Sequence, residues 1–557
     1  MSRIAVSKPK AADAGTAPAM LPAGTPAVPA TLAAHTEARP ADATPVDVRP
    51  ERVPPERIAV LNWIRWDVLP PFDEALLYAH PRRAQAAELL AQSLGIERAE
   101  ALVRGLLEEL GGQPVDRLLM VEILLRGVRE QPRAIVELLR DAREYAPPLR
   151  ARAAVINGQL AFEEGEFALA RRWADFALAD VPDAWAAQVL HGLVLEAEGR
   201  WEESLSQYRK LIATRPATPG LRNCVATMLL RQGRIADSLA QLVEVDHMAL
   251  QPHAATQAGL WDGRLAEGDF LLITSGAAGA GIGDVIQHLR YLPGLRARHP
   301  DARLVLRTHP ELLGLVRRMG MVDEVNSDAK AEDERFCAQT TLAQVALFHH
   351  LESEPAPLPA PFLDCAPERV AVMGAQVQAR LGDAQASALR VGLRWRGRPG
   401  GIDILRSVPP AQLAPLFDLP GVAWISMLEH GNPELAVLKA GGLPVLDMSE
   451  ALRDLTDTAA LLCNLDLLIT VDTSVAHLAG ALGVPTWVLS RPDADGRWGM
   501  DARTALYRSV RLFRHPGRRD WDAVVVQVRQ RLAACLRMRA AGDTRAFASL
   551  LLEARLD

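Results

Sequence analysis

The stretch Leu465–Arg491, LDLLITVDTSVAHLAGALGVPTWVLSR, limits the fold more than any other in the chain. An apolar run of strand length, Leu465–Val471, is broken only by Asp466 and Thr470. Asp472, Thr473 and Ser474 follow. A helical pattern then runs over Val475–Leu482 to Gly483 and Pro485, and Pro485–Ser490 is a second apolar run. Strand, polar turn, helix, strand is a βαβ unit, and strands this apolar belong in a buried parallel sheet. The turn lies at the carboxyl end of a strand and the amino end of a helix. Open α/β sheets take ligands there, and free helix N–H groups favour anions. Asp472, Thr473 and Ser474, with His477 one turn into the helix, are therefore candidate ligand contacts.

A second constraint is an internal repeat. Gly165, Gly199 and Gly233 stand 34 residues apart. Phe167, Trp201 and Ile235 follow each glycine by two positions, and Ala170, Ser204 and Ser238 by five. Gly158, Gly192 and Ala226 precede each by seven, and Pro182 and Pro216 close the first two units. Small residues let paired helices approach, a large apolar residue fills the gap, and proline stops the second helix. The pattern resembles the tetratricopeptide repeat over residues 150–250 and predicts a curved solenoid whose concave face holds a polypeptide. A spacer or dimerisation element is the alternative use of such an array.

The rest of the 557 residues divides around these two features. Residues 1–55 are rich in Ala, Pro and Thr and nearly lack aromatics, the composition of a disordered tail. Residues 56–149 carry helical patterns, including Leu102, Leu106, Leu107 and Leu110, with Trp63 and Trp66 on one helix face. Residues 268–365 read as a first α/β domain. The run Phe270–Ile273 leads into a glycine-rich loop, Gly276 to Gly283, and Asp284 opens a helix. No frame of that loop fits GxGxxG. A carboxylate at the positive end of a helix stays ionised, as a base or as a cap. Residues 388–540 read as a second α/β domain. Arg394, Arg396, Arg398 and Arg406 cluster after its first strand, Val391–Trp395, and guanidinium forks suit phosphate or carboxylate. Pro355–Pro361 reads as a hinge or edge segment, and His349-His350 as a surface pair.

Composition excludes several classes. A net charge of −6 gives no basic field for nucleic acid. The five cysteines are far apart and form no CxxC pair, which fits a reducing, cytoplasmic setting. No apolar run reaches the ~18–20 residues that span a bilayer, and the N-terminus lacks a signal-peptide core.

Two α/β domains, "GIGD" opening the first and "VDTSVAHLAGALGVPTWVLSR" in the second, resemble the heptosyltransferase-like family 9 glycosyltransferases of GT-B architecture. The resemblance is greater to bacterial proteins that fuse tetratricopeptide repeats to such a domain, and it covers about Arg150–Ala540. It implies a helical solenoid followed by a GT-B pair of Rossmann-like domains. It also implies an inverting, metal-independent transferase with no cofactor. Asp284 would be the general base, on an acceptor loop with Gly281 and Gly283. Asp472, Thr473, Ser474 and His477 would hold the nucleotide-sugar donor, with Arg406, in "RSVPP", on its phosphates. True heptosyltransferases carry a lysine in that last role, and none stands near here. Similar fused transferases imply a protein acceptor such as flagellin. Two alternatives are a lipopolysaccharide sugar transferase and a non-catalytic repeat scaffold.

Overall fold

A computed structural model describes residues 74–552, apart from 92–95, 127–131, 164, 215–218, 251–257, 277–280, 328–334, 354, 356–357, 398–405, 430–431, 433, 437–442, 492–495 and 516–520. The Ala/Pro-rich tail, Trp63, Trp66, Pro216 and Arg398 lie outside the described residues.

The 34-residue period becomes three helical hairpins: Pro147–Glu163 with Phe167–Asp180, Trp185–Ala197 with Trp201–Thr214, and Pro219–Arg231 with Ile235–Leu250. The phased glycines are turn residues. Gly165, Gly199 and Gly233 have φ of 85°, 76° and 73°, where any side chain is strained. The close helix crossings fall instead at the small residues flanking them. A Cβ on Gly158 would meet Leu190 Cδ2 at 2.4 Å, and one on Gly192 would meet the Tyr208 ring at 2.5 Å. The Ser204 hydroxyl donates to the Gly192 carbonyl, and the Ser238 hydroxyl to the Ala226 carbonyl, both at 2.8 Å. The gap-filling role weakens along the array. Phe167 packs on Phe162 at 5.4 Å between centroids, but Ile235 is 37 % exposed. Helices upstream, from Pro81–Ala91 to Pro132–Leu138, share one apolar core with the repeats, running from Ala86 to Leu229. Gly192→Ala should destabilise the protein by about 1–3 kcal/mol in denaturant unfolding, because Tyr208 is fully buried and has no room to yield. Overpacking at that site outweighs the gain in helix propensity, about 1 kcal/mol at most.

Two sheets follow, both wholly parallel. The first contains β1 (Gly259–Leu260), β2 (Phe270–Thr274), β3 (Arg303–Arg307), β4 (Glu324–Asn326) and β5 (Phe336–Thr341), in the order β1-β5-β2-β3-β4. The second contains β6 (Leu389–Arg394), β7 (Val422–Ser426), β8 (Val445–Asp447), β9 (Leu467–Val471), β10 (Thr486–Ser490) and β11 (Val510–Arg514), in the order β11-β10-β9-β6-β7-β8. β9 pairs on both sides, Val391 with Leu467 and Thr486 with Leu468, so its apolar run is central and buried. Alternation sends Leu467, Ile469 and Val471 to one face, against the helix Trp521–Ala540. Leu468 faces the other way, into a core shared with the helices Leu455–Leu462 and Ser474–Leu482 and with the first domain.

The array is packed onto the α/β region. Helix Ile235–Leu250 lies on helix Leu342–Leu351, and Leu239 is buried in the same core as Trp261 and Leu271. The architecture is an array of helical hairpins with a 34-residue period followed by two Rossmann-like parallel α/β domains. No described helix is long and apolar enough to cross a membrane.

Candidate active site

Loops at the carboxyl ends of both sheets face one another across a cleft of about 420 Å³. The first domain supplies Gly281, Gly283 and Asp284, from the loop after β2 and the start of helix Ile282–Leu289. The second supplies Arg406, Asp472, Thr473, Ser474 and His477. Gly281, Gly283, Asp284, Arg406, Asp472, Thr473, Ser474 and His477, singled out in the sequence, thus lie on this cleft. Residues not selected there also line it: Glu429 after β7, Ser490 and Arg491 at the end of β10, and Arg497 beyond them. Glu429, Ser490 and Arg491 stand at strand ends, the signal by which they were findable, whereas Arg497 carries no such local signal.

The arginine cluster divides. Arg394 is buried and lines the cleft, donating to the Met427 carbonyl at 2.7 Å and to Glu429 Oε1 at 2.5 Å. Arg396 bonds Glu434 at 2.8 Å, and Glu434 also accepts from the Trp395 indole at 2.7 Å. That arrangement fixes the strand end, and Arg396 is not a cleft residue.

On the donor side, Thr473 is the N-cap of helix Ser474–Leu482 in extended conformation, with no side-chain cap bond. Its hydroxyl lies 3.4 Å from that of Thr470, so the start of the helix opens toward the cleft rather than onto its own cap. His477 is buried. Its Nδ1 sits 3.0 Å from the Tyr507 hydroxyl, and its ring lies on Trp498 at 4.7 Å. Burial pushes the Tyr507 phenol far up, so it remains neutral as His477's partner. Gly283 allows the two domains to meet: a Cβ there would lie 2.8 Å from His477 Cδ2.

Asp284 is both capping residue and ion-pair partner. Its Oδ2 accepts the Gly281 N–H at 2.9 Å, and its Oδ1 accepts from Arg497 of the opposite domain. Burial alone would raise its pKa. The Arg497 charge and hydrogen bond, then His477 and the Gly281 N–H, outweigh that and hold the carboxyl at about 2. A depressed carboxylate contributes stability that is present above its unfolded pKa, about 3.9, and lost as the pH falls toward 2. Its side chain is 40 % exposed, so solvent screens the pair.

The pair His349-His350 is not at the surface. His349 is buried, and Tyr291 packs on both rings, its hydroxyl 2.9 Å from His350 Nε2. Burial lowers both histidine pKa values and keeps the rings neutral. Among the described residues no group of three or more His, Cys, Asp or Glu is placed to hold a metal ion.

No family model matches the chain. It is 27 % identical over 311 residues to Protein FlbA of Caulobacter vibrioides, which covers 52 % of this chain and 50 % of that protein. The chain thus spans about half the length of the curated relative it matches. Among solved structures it is similar to a family 9 glycosyl transferase from Veillonella parvula, at 12 % identity and a TM-score of 0.35, over 45 % of this chain and 86 % of that one. It is also similar to an O-GlcNAc transferase mutant from Thermobaculum terrenum, at 14 % identity and a TM-score of 0.26, over 82 % and 95 %.

Proposed function

We propose that the protein is an inverting glycosyltransferase that moves a sugar from a nucleotide-sugar donor to a hydroxyl of a polypeptide held by the repeats. The observation that carries this reading is the polarity of the cleft. One wall carries a carboxylate at a helix start. The other carries Arg394, Arg406, Arg491 and an open helix start. Sugar transfer uses both. The acceptor oxygen attacks the anomeric carbon while its proton passes to Asp284. The bond from that carbon to the phosphate oxygen breaks, and the diphosphate leaves with the electron pair. Arginines and helix N–H groups stabilise that charge. Asp472 and His477 orient the donor, and Arg406 binds its phosphates.

Arg497 holds Asp284 too acidic to be an efficient base, because such a group works best with a pKa near the working pH. A bound diphosphate offers Arg497 a second anion. Movement of the guanidinium to it lets the carboxyl rise and accept the proton. Flagellin is a candidate acceptor, and the cytoplasm, where nucleotide sugars are made, is the compartment that fits.

A panel of nucleotide sugars, read by thermal shift and then by calorimetry, tests the reading. One nucleotide should stabilise the protein. Arg406→Ala should weaken its binding about 10- to 100-fold, as loss of a charged hydrogen bond of roughly 1.5–3 kcal/mol implies. Absence of binding to every nucleotide sugar would leave a non-catalytic scaffold.

A further inference from the structure

The last hairpin of the array touches both α/β domains. Its second helix, Ile235–Leu250, lies on helix Leu342–Leu351 of the first domain, with His247 Nε2 3.4 Å from Gln344 Oε1. Its first helix, Pro219–Arg231, lies on the short turn Gly496–Trp498 of the second domain. That second contact brings the Gly496 backbone directly against the helix, with no side chain between them. Gly496 is buried, and a Cβ added there would meet the Thr227 carbonyl oxygen at 2.6 Å, Arg231 Cγ at 3.0 Å and Leu230 Cβ at 3.2 Å. Arg231 is anchored in turn by Glu196 of the preceding repeat at 3.0 Å, both side chains nearly buried. The next residue after Gly496 is Arg497, whose guanidinium holds Asp284. Trp498 is fully buried against His477, and Arg514 grips the far side of the turn through the Gly499 carbonyl at 2.6 Å. The turn is therefore clamped between the repeats and the cleft.

We propose that the third repeat is a positioning element of the active site: helix Pro219–Arg231 seats the turn at Gly496 and so sets where Arg497 stands relative to Asp284. The proposal rests on the glycosyltransferase reading for its kinetic consequence, but not for its geometry. Contacts run from Glu196 through Arg231 and Gly496 to Arg497. A polypeptide lying along the repeats and shifting that hairpin shifts Arg497, and acceptor binding is then felt at Asp284. Gly496 and Arg231 are positioning residues. They act through Arg497 and touch neither substrate.

The test uses the full chain with Gly496→Ala, which adds one methyl against a carbonyl oxygen, and Arg231→Ala, which removes the support without adding bulk. Gly496→Ala should lower the turnover number by about 10- to 100-fold, the scale of an ångström misplacement in an active site. Binding of the nucleoside diphosphate should weaken less than turnover falls, by up to about 10-fold, because only one of the cationic groups on the phosphates is displaced. Arg231→Ala should act in the same direction and less strongly. In an Arg497→Gln background neither change should lower turnover further, because both work through the missing guanidinium. A merely structural role would cost the same factor in both backgrounds, and that result, or wild-type turnover in Gly496→Ala, would overturn the proposal. A second readout needs no activity. Around the Asp284 carboxylate stand Arg497, His477 and Tyr507, with the Gly281 N–H and His288 on its own side, and of these Arg497 rides on the contact. The fall in unfolding midpoint between pH 5 and pH 3 should be flattened equally by Gly496→Ala and Arg497→Gln. Retention of the wild-type acid dependence by Gly496→Ala would refute the proposal even if no sugar transfer were found. Lack of transfer by the wild type with flattening in both variants would refute only the glycosyltransferase reading.

Discussion

Asp284→Asn should keep the fold and nucleotide-sugar binding, and lower sugar transfer by roughly 10²–10⁴-fold, the contribution of a positioned general base. The substitution separates the two roles that the carboxylate holds. An asparagine oxygen still accepts the Gly281 N–H, so the helix start at Ile282–Leu289 remains capped. The amide cannot accept the acceptor's proton. It also gives Arg497 no charge to pair with, which frees that guanidinium for the donor phosphates. Donor affinity in the variant should therefore equal or exceed that of the wild type while turnover collapses. Calorimetry with the nucleotide sugar and single-turnover transfer measure the two quantities. Unchanged transfer in a folded variant would reduce Asp284 to a cap and assign the base to another group. The pH profile supplies a further check. The Asp284 carboxyl sits at about 2 because Arg497 is beside it. If the diphosphate draws Arg497 away, the acid limb of kcat in the loaded enzyme should lie above that value, because the opposing burial is then less compensated.

The buried strands were legible because their environment leaves a simple trace. β9 and β10 are covered on both faces, so they are mostly apolar, broken only by Thr470, Thr486 and Ser490, and the turn after Val471 was readable to within one residue, the helix starting at Ser474 rather than Val475. The glycine period was equally plain, since a left-handed turn residue admits little else. Four other strands were not. β1 has two exposed residues, β4 and β8 have three residues each, and β5 reads FCAQTT, with polar residues where a buried strand would show apolar ones. At β5 the polar pattern has a cause: Thr340 donates to Gln344 Oε1 at 2.9 Å, and Gln344 donates to the Trp261 carbonyl at 3.0 Å. Arg497 was missed for a different reason. Its position depends on a contact between segments more than 200 residues apart in the chain, and no local pattern encodes that. The pairing of Arg396 with Glu434 was equally hidden, because Glu434 lies far along the chain and only the folded strand ends bring the two together. His349-His350 misled because polar residues at a helix end suggest a surface, whereas here Tyr291 covers them.

Removal of the array up to Thr214, with the hairpin Pro219–Leu250 kept, should abolish modification of a polypeptide acceptor and leave nucleotide-sugar binding within about threefold. Solenoid repeats contact mainly their neighbours, so the loss propagates chiefly through Glu196, whose removal leaves Arg231 unanchored and should lower turnover as Arg231→Ala does while sparing binding. Removal of the whole segment 150–250 should behave differently. Leu239 is buried in the core of the first domain, and helix Pro219–Arg231 supports the turn that carries Arg497. Without that hairpin the α/β region exposes apolar surface where helix Ile235–Leu250 lay on helix Leu342–Leu351, and the seat of Gly496 is lost. The larger deletion should therefore lose donor binding and solubility together, and it cannot report on acceptor choice. The smaller one can. The measurements are calorimetry with the nucleotide sugar, donor hydrolysis in water, and transfer to intact flagellin beside transfer to a lipid-linked saccharide. Retained hydrolysis with lost polypeptide transfer assigns the acceptor to the outer repeats. Polypeptide transfer undiminished by the truncation would place acceptor recognition in the cleft and make the outer repeats a spacer. Full activity on the lipid-linked saccharide, with none on protein before or after truncation, would move the enzyme to the lipopolysaccharide class.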